Sequence, residues 1–130
     1  MGKYTTFEDL KVYKATIALT VEIFGLLKKA EFKKETAISE QLKRAILSVS
    51  NNIAEGFERE TDKEMIRFLF IAKASAGEVR NLINVIEATE ILNPLHCSDL
   101  RDKIENISKQ LFNYIKFIRN KASINLSSNE

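Results

Sequence analysis

A chain of 130 residues is long enough for one domain around one hydrophobic core. Its hydrophobic fraction of 45% excludes a disordered chain, and its one proline and four glycines argue against a β-sandwich or barrel and favour long helices. The net charge of +2 does not by itself indicate a nucleic-acid or membrane partner.

Basic residues are concentrated toward the two ends of the chain. Residues 1–50 hold nine Lys and Arg against six Asp and Glu, residues 51–100 hold five against nine, and residues 101–130 hold six against three. This distribution fits ordinary solvated helix faces, and it also fits a surface that steers a polyanion or a partner subunit.

Localisation and catalysis are constrained by features that the sequence lacks. The single cysteine, Cys97, cannot form an internal disulfide and favours a reducing compartment. The first residues contain no apolar signal segment, and no run approaches the roughly 18 apolar residues of a membrane span, so we expect a soluble, cytoplasmic protein. His96 precedes Cys97 in a predicted loop without an acidic residue to orient it, so we expect no catalytic pair there.

Apolar residues at helical spacing predict two helices in the first half of the chain. Helix one is predicted over residues 7–29, where Thr5 and Glu8 match a capping box. Helix two is predicted over residues 37–60. Its inward seam is expected to consist of Ile38, Leu42, Ala45, Val49, Asn52 and Gly56.

Helix three is predicted over residues 62–91, directly after helix two. Thr61 and Glu64 form its capping box, so the turn between the two helices is very short and forces them to be antiparallel neighbours. The inward stripe of helix three is predicted to be Met65, Phe68, Ala72, Val79, Leu82 and Ile86.

The remaining chain predicts a fourth helix. Asn93-Pro94 is expected to end helix three, and Ser98 is expected to cap helix four over residues 99–122, before a polar tail at 123–130. The stripe of helix four is Leu100, Ile104, Ile107, Leu111, Ile115 and Ile118. The short connections predict an all-α protein, an antiparallel up-down-up-down four-helix bundle over residues 1–122.

Helices one and three carry more apolar surface than one bundle needs. The inward stripe of helix one is predicted to be Leu10, Tyr13, Ile17, Val21 and Phe24. Other apolar residues fall on further faces of helices one and three, and we predict that they form a subunit interface: Val12, Leu19, Ile23, Leu26, Ile66 and Phe70. The alternative is that one of these helices is deeply buried within a compact monomer.

Polar residues on the apolar seam of helix two predict a specific packing role. Asn52 is predicted to be a buried amide that bonds across helices and fixes their register, and Gly56 to allow close approach of a neighbouring helix or subunit. Glu55 can form a surface pair with Arg59. The other polar candidates for a network between helices two and three are Arg44, Ser75 and Glu78.

Three segments carry a resemblance to a known family. They are Phe7-Glu8-Asp9-Leu10-Lys11-Val12-Tyr13, the signature from Gln41-Leu42-Lys43-Arg44-Ala45 to Asn52-Ile53-Ala54-Glu55-Gly56, and Phe68-Leu69 with Ala72-Lys73, Ser75 and Glu78. In this order they resemble the bacterial four-helix-bundle proteins encoded in intervening sequences of 23S rRNA genes, the S23-like proteins. Ser50 departs from the pattern, since the family usually has proline there.

The resemblance implies an antiparallel four-helix bundle that associates into a pentamer, with a biochemical role that is mostly unassigned. The accessory variability proteins of retroelements are similar, and they imply a basic surface that partners nucleic acid. At +2 per chain, five copies carry a net charge of about +10.

Three functions remain open, of which an enzyme is the least favoured because the sequence contains no nucleophile–base pair, metal-ligand spacing or glycine-rich phosphate loop. The first is a non-enzymatic homo-oligomeric scaffold or interaction protein without metal or other cofactor, since no catalytic constellation appears. The alternative is an accessory protein that binds RNA or DNA through a basic surface of the oligomer. The candidate phosphate contacts are Lys43, Arg59, Lys63, Arg67 and Lys73, which can equally be a solvated face.

Overall fold

The computed structural model describes the backbone of residues 6–128 and the side chains of residues 6–121. In this part the chain forms four α-helices and no strand, which confirms the predicted all-α class. The helices are α1 (Lys11–Leu26), α2 (Thr36–Phe57), α3 (Asp62–Ala88) and α4 (Pro94–Ser128). Two short 3-10 helices, Phe7–Asp9 and Ala30–Phe32, flank α1.

Contacts between α3 and α4 run in opposite directions along the two helices. Arg101, near the start of α4, hydrogen-bonds to Glu87 near the end of α3. Toward the other end of α4, the guanidinium of Arg119 lies 5.1 Å from the ring centroid of Phe70, in the first third of α3. The pairing is therefore antiparallel, as the short connection between the helices requires.

The α2–α3 pair follows the same arrangement, since Gly56 near the end of α2 packs against Phe68 near the start of α3. Ser48 and Ser75 meet in the middle of α2 and α3, and Lys103 of α4 bonds to Glu22 of α1. Contacts join α1 to α2 and α4, and α3 to α2 and α4. The four helices thus stand at the corners of a square, with α1 diagonally opposite α3.

The core is built from one stripe of each helix. All six residues of the predicted stripe of helix four are at most 3% exposed. On α2, Ile46 and Ile53 join the predicted seam with no exposed surface, and Phe32 of the second 3-10 helix adds a buried ring after α1. The periodicity of these helices therefore identified the inward face correctly.

On α1 the assignment of faces was wrong. The stripe that was predicted to form a subunit interface is in the core, with exposures of 4%, 2%, 0% and 3% for Val12, Leu19, Ile23 and Leu26. The stripe predicted to face inward is partly exposed, with 36% for Ile17 and 68% for Val21. Both stripes are apolar, and spacing alone does not tell them apart.

A polar residue on the buried side of α1 explains part of this error. Thr16 lies between Val12 and Leu19 on the inward face and is fully buried. Its hydroxyl donates a hydrogen bond of 2.7 Å to the Val12 carbonyl oxygen, so burial leaves no unsatisfied polar group. A threonine therefore does not mark the solvent side of this helix.

The predicted first helix is interrupted near its start. Leu10 has extended backbone angles, with φ −67° and ψ 131°, between the first 3-10 helix and α1. Its side chain is 2% exposed, and the rings of Phe7 and Tyr13 meet edge to face at 5.1 Å. The predicted capping box of Thr5 lies outside the described residues.

The connection between α3 and α4 differs from its predicted form. The helix α3 ends before Asn93-Pro94, at a turn in which Glu90 has a φ of 59°. Pro94 begins α4, where its missing N–H is not needed, and Asn93 Oδ1 accepts a hydrogen bond of 2.8 Å from the His96 N–H. Ser98 is thus not the cap, and α4 continues to Ser128 across the predicted tail.

The turn at Glu90 gives a testable stability difference. The N–H of Ile91 bonds to the Ile86 carbonyl and that of Glu90 to the Glu87 carbonyl, a Schellman motif whose left-handed position normally holds glycine. We expect Glu90→Gly to raise the free energy of unfolding by about 0.5–1 kcal/mol, since it relieves left-handed strain. Thr89→Gly, at a φ of −91°, should lower it in the same urea titration. Equal effects of the two substitutions would contradict this account.

Candidate functional site

The polar seam between α2 and α3 is held by two serines. Ser48 Oγ and Ser75 Oγ lie 2.8 Å apart across the helices. Asn52 Nδ2 donates to the carbonyl oxygen of Ser48 at 2.7 Å and to its Oγ at 3.1 Å. The prediction that Asn52 bonds across helices is therefore wrong, because its amide bonds within α2 and supports the serine pair. Sequence reasoning missed Ser48, one turn before Asn52.

Gly56 has the packing role that the sequence predicted, and its neighbour is a helix of the same chain. A Cβ at this position would lie 3.0 Å from the Cβ of Phe68 and 3.1 Å from the carbonyl oxygen of Met65. Both atoms belong to α3, and the Met65 carbonyl oxygen is part of its backbone. The glycine therefore sets how closely the end of α2 approaches the start of α3.

Arg44 and Glu78 do not enter the polar seam. Both are exposed, and neither has a hydrogen bond or ion pair within the part of the chain whose side chains are described. Glu55 Oε1 lies 3.6 Å from Arg59 Nη2, with about half of each side chain exposed, which confirms the predicted surface pair. Such a pair contributes little to stability.

Two of the predicted phosphate contacts are engaged with other side chains. The guanidinium groups of Arg59 and Arg67 lie 4.7 Å and 4.6 Å from the ring centroid of Phe68. Arg67 Nε also donates to Glu64 Oε2 at 3.1 Å, and this hydrogen bond lowers the pKa of Glu64. A carboxylate thus lies beside each arginine, since Glu55 faces Arg59.

The five predicted phosphate contacts do not form one surface. Lys63 is exposed at the start of α3, near Arg59 and Arg67. Lys43 lies on the α1 side of α2, with Nζ 5.7 Å from the ring centroid of Phe24. Lys73 lines a cleft beside α4. Antiparallel packing distributes these residues over three sides of the bundle.

A different set of cations lies together, along the outer side of the α3–α4 pair. We call this surface the basic groove. One part of the basic groove is a cleft of about 600 Å³, and its lining includes Lys73, Arg80, Lys109 and Phe112. The full groove is defined by Phe70, Lys73, Arg80, Lys109, Phe112, Lys116 and Arg119.

The two phenyl rings of the basic groove are open to solvent. Phe70 is 38% exposed and Phe112 is 44% exposed. Arg119 lies over the first ring at 5.1 Å, and Lys116 Nζ lies 5.6 Å from the centroid of the second. Phe70 was predicted from the sequence to lie in a subunit interface, and Phe112 was not predicted to lie in any site. The signal that could have located the groove is Lys109, Phe112 and Lys116 on one side of helix four.

Apolar side chains are also exposed on the α1 and α2 side of the bundle. Val21 and Ile17 lie about one and two turns before Phe24, whose ring is covered by Lys43 of α2. Leu47 is one turn after Lys43 and is 41% exposed. We call this surface the α1–α2 patch and define it by Ile17, Val21, Phe24 and Leu47. Phe24 is half-buried and completes the patch at the core side.

Cys97 does not have the surroundings of a reactive thiol. It lies in the first turn of α4 and not in the predicted loop, with no exposed surface, and Sγ is 3.8 Å from the Leu92 carbonyl oxygen. Burial raises the pKa of its thiol, and the charge of Glu87 raises it further. Both effects disfavour the nucleophilic thiolate.

The described residues offer neither a metal site nor a membrane-spanning helix. These residues contain no group of three His, Cys, Asp or Glu side chains able to hold a metal ion. No helix in the same part of the chain combines the length and the apolar character needed to cross a membrane.

Comparisons with known proteins agree with this architecture. Residues 8–113 match the sequence model of a family described as 23S rRNA-intervening sequence protein. A crystal structure of a protein of unknown function from the S23 ribosomal protein family of Bacteroides thetaiotaomicron is similar, with a TM-score of 0.75 and 24% identity over 81% of this chain and 98% of the other. At that identity the likeness shows the fold. No curated protein matches the chain.

Proposed function

Because the chain belongs to the family of 23S rRNA-intervening sequence proteins, whose function is not known, we propose its role from its surfaces: a non-enzymatic interaction protein that associates with copies of itself. The observation that carries the proposal is the α1–α2 patch. Val21 at 68%, Leu47 at 41% and Ile17 at 36% expose apolar side chains on one side of the bundle. Contiguous apolar surface of this kind marks interaction sites.

Charges beside the α1–α2 patch indicate a second copy as the occupant. Exposed lysines, Lys14 and Lys28, lie toward the two ends of α1, and exposed glutamates, Glu40 and Glu58, lie at or just beyond the ends of α2. A neighbour that lays its α2 beside this α1 therefore brings opposite charges together toward the ends of the contact, while Lys43 and Arg44 lie between the two glutamates on α2. Such pairing between exposed groups favours the correct register more than it adds affinity.

The proposed contact joins two different surfaces, α1 of one copy and α2 of the next. A contact of this type is heterologous, and it closes into a ring when the rotation between neighbours permits. The pentamer that the resemblance implies is one such ring. The proposed contact uses the exposed stripe of α1 in place of the predicted one, while Phe70 belongs to the basic groove and Ile66 packs against the core.

A charge placed in the α1–α2 patch tests the proposal. We expect Val21→Glu to lower the weight-average mass measured by sedimentation to that of a smaller species, because burying an unpaired carboxylate at the contact is costly. Leu95→Glu is the matched control, since Leu95 is 84% exposed at the start of α4, away from the patch. It should keep the wild-type mass. An unchanged mass for Val21→Glu, or the same decrease for both variants, contradicts the proposed interface.

A further inference from the structure

We propose that the basic groove between α3 and α4 binds single-stranded nucleic acid, with phosphates at its lysines and arginines and bases against its two phenyl rings. Antiparallel packing brings residues separated by about 30 to 50 positions in sequence onto this surface. Neither the family match nor the similar structure assigns any role to it.

The charge of the groove is the first argument. It holds five cations, Lys73, Arg80, Lys109, Lys116 and Arg119, against one carboxylate within its cleft. That carboxylate, Glu105, lies 3.7 Å from Arg80. Within the described side chains, the other four cations have no ion pair, in contrast to Arg59 and Arg67 beside Phe68. Four cations therefore remain available to an anionic ligand.

The spacing of these cations fits a repeating anion better than a small one. Lys109 and Lys116 are seven residues apart on α4, which is about 10 Å along the helix axis. Arg119 lies about 4–5 Å further along, and Lys73 faces them from α3. The cations thus form a track along the groove. Three or four phosphates of an extended strand can be contacted by it.

The exposed rings argue for unpaired bases. Phe70 and Phe112 lie along the same track, at exposures of 38% and 44%, and each has a cation at one face. Bases of a single strand stack on aromatic side chains and on guanidinium planes in surfaces of this composition. An acidic peptide has the charge but no bases to stack on the rings.

The width and floor of the groove also favour a single strand. Neighbouring helix axes in a bundle are about 8–10 Å apart, so the groove between them is narrower than a duplex. Gly77 is exposed on α3, and no atom lies within 4 Å of the place that its Cβ would occupy. The backbone of α3 is therefore open to close approach beside the cleft.

The groove is on the side of the bundle opposite the α1–α2 patch, because α1 and α3 occupy diagonal corners of the square. Binding in the groove therefore does not rest on the proposed self-association. An oligomer would repeat the groove on every copy and strengthen binding to long strands by multivalency.

The test uses fluorescence anisotropy with a labelled 12-nucleotide RNA of mixed sequence, between about 20 and 200 mM NaCl. We expect binding at low salt. The logarithm of the association constant should fall linearly with the logarithm of the salt concentration, with a slope of about −2 to −3, the value for three or four phosphates of a single strand. The double variant Lys109→Glu with Lys116→Glu should lose at least about tenfold in affinity and have a shallower slope.

The matched control is Lys33→Glu with Lys34→Glu, which makes the same charge change on exposed lysines between the second 3-10 helix and α2. It should retain most of the wild-type affinity. Phe112→Leu keeps the charge and removes the stacking surface, and about 1 kcal/mol per stacked base corresponds to an affinity loss of about fivefold. Light scattering on each variant should give the wild-type mass, which separates this result from a loss of assembly.

Several results would overturn the proposal. They are no binding at 20 mM salt, equal losses for the two double variants, affinity for a duplex or a poly-glutamate peptide as high as for the single strand, and no effect of Phe112→Leu. A loss of affinity that occurs only together with a loss of assembled mass also overturns it.

Discussion

Ile23→Ala is expected to lower the free energy of unfolding by about 2–5 kcal/mol, the range for truncating a fully buried aliphatic side chain. Ile23 has no exposed surface and lies on the stripe of α1 that faces the core. The change leaves a cavity between α1 and the other three helices. Chemical denaturation followed by circular dichroism at 222 nm measures the difference directly.

Val21→Ala is the matched control, because it truncates a residue two positions away on the opposite side of the same helix. Val21 is 68% exposed, so we expect a change within about 0.5 kcal/mol when both proteins are compared at equal low concentration. If Val21→Ala destabilises the protein more than Ile23→Ala, the face assignment of α1 described above is wrong and the opposite stripe is the core.

Gly56→Ala is the second substitution with a large expected effect. The new methyl group would lie 3.0 Å from the Phe68 Cβ and 3.1 Å from the Met65 carbonyl oxygen, so the ends of α2 and α3 must separate. Overpacking of this kind lowers the free energy of unfolding by about 1–3 kcal/mol, and the higher helix propensity of alanine offsets up to about 1 kcal/mol of that loss. We expect a net loss of about 1 kcal/mol or more, measured as a decrease in the urea midpoint at unchanged m value.

Gly77→Ala makes the same chemical change in the middle of α3 and should have the opposite sign. No atom lies within 4 Å of the position that the new Cβ would occupy, so only the higher helix propensity of alanine remains. The free energy of unfolding should therefore rise by about 0.5–1 kcal/mol. If the free energy of unfolding rises in both variants, α2 and α3 can move apart at Gly56 without a loss of stability.

Much of the fold could be predicted from periodicity and capping. Thr61 Oγ1 accepts a hydrogen bond of 3.2 Å from the Glu64 N–H, as the capping box predicts, and the stripe of helix four is buried throughout. These features are local, since each depends on residues three or four positions apart. Sequence alone contains that information.

The errors concern choices that depend on other parts of the chain. Two apolar stripes on α1 compete for the core, and the choice between them depends on how α1 packs against α2 and α4. Asn93-Pro94 was expected to end helix three, whereas α3 ends earlier, at Ala88, and Pro94 begins α4. Neither choice can be made from spacing within one helix.

The candidate surfaces were less predictable than the core. Lys73 was identified from the sequence, but its partners in the basic groove, Lys109 and Lys116, are on another helix. The family match gives no function from which to transfer a role. A surface formed by two antiparallel helices is recognised only after the register between them is known.

Self-association through the α1–α2 patch is the central claim, and the mass of the wild-type protein in solution tests it most directly. Size-exclusion chromatography with multi-angle light scattering, over a concentration series in the micromolar range, should give a multiple of 14.8 kDa. A pentamer would have about 74 kDa, five times the mass of the chain. A mass of 14.8 kDa at every concentration would contradict the claim.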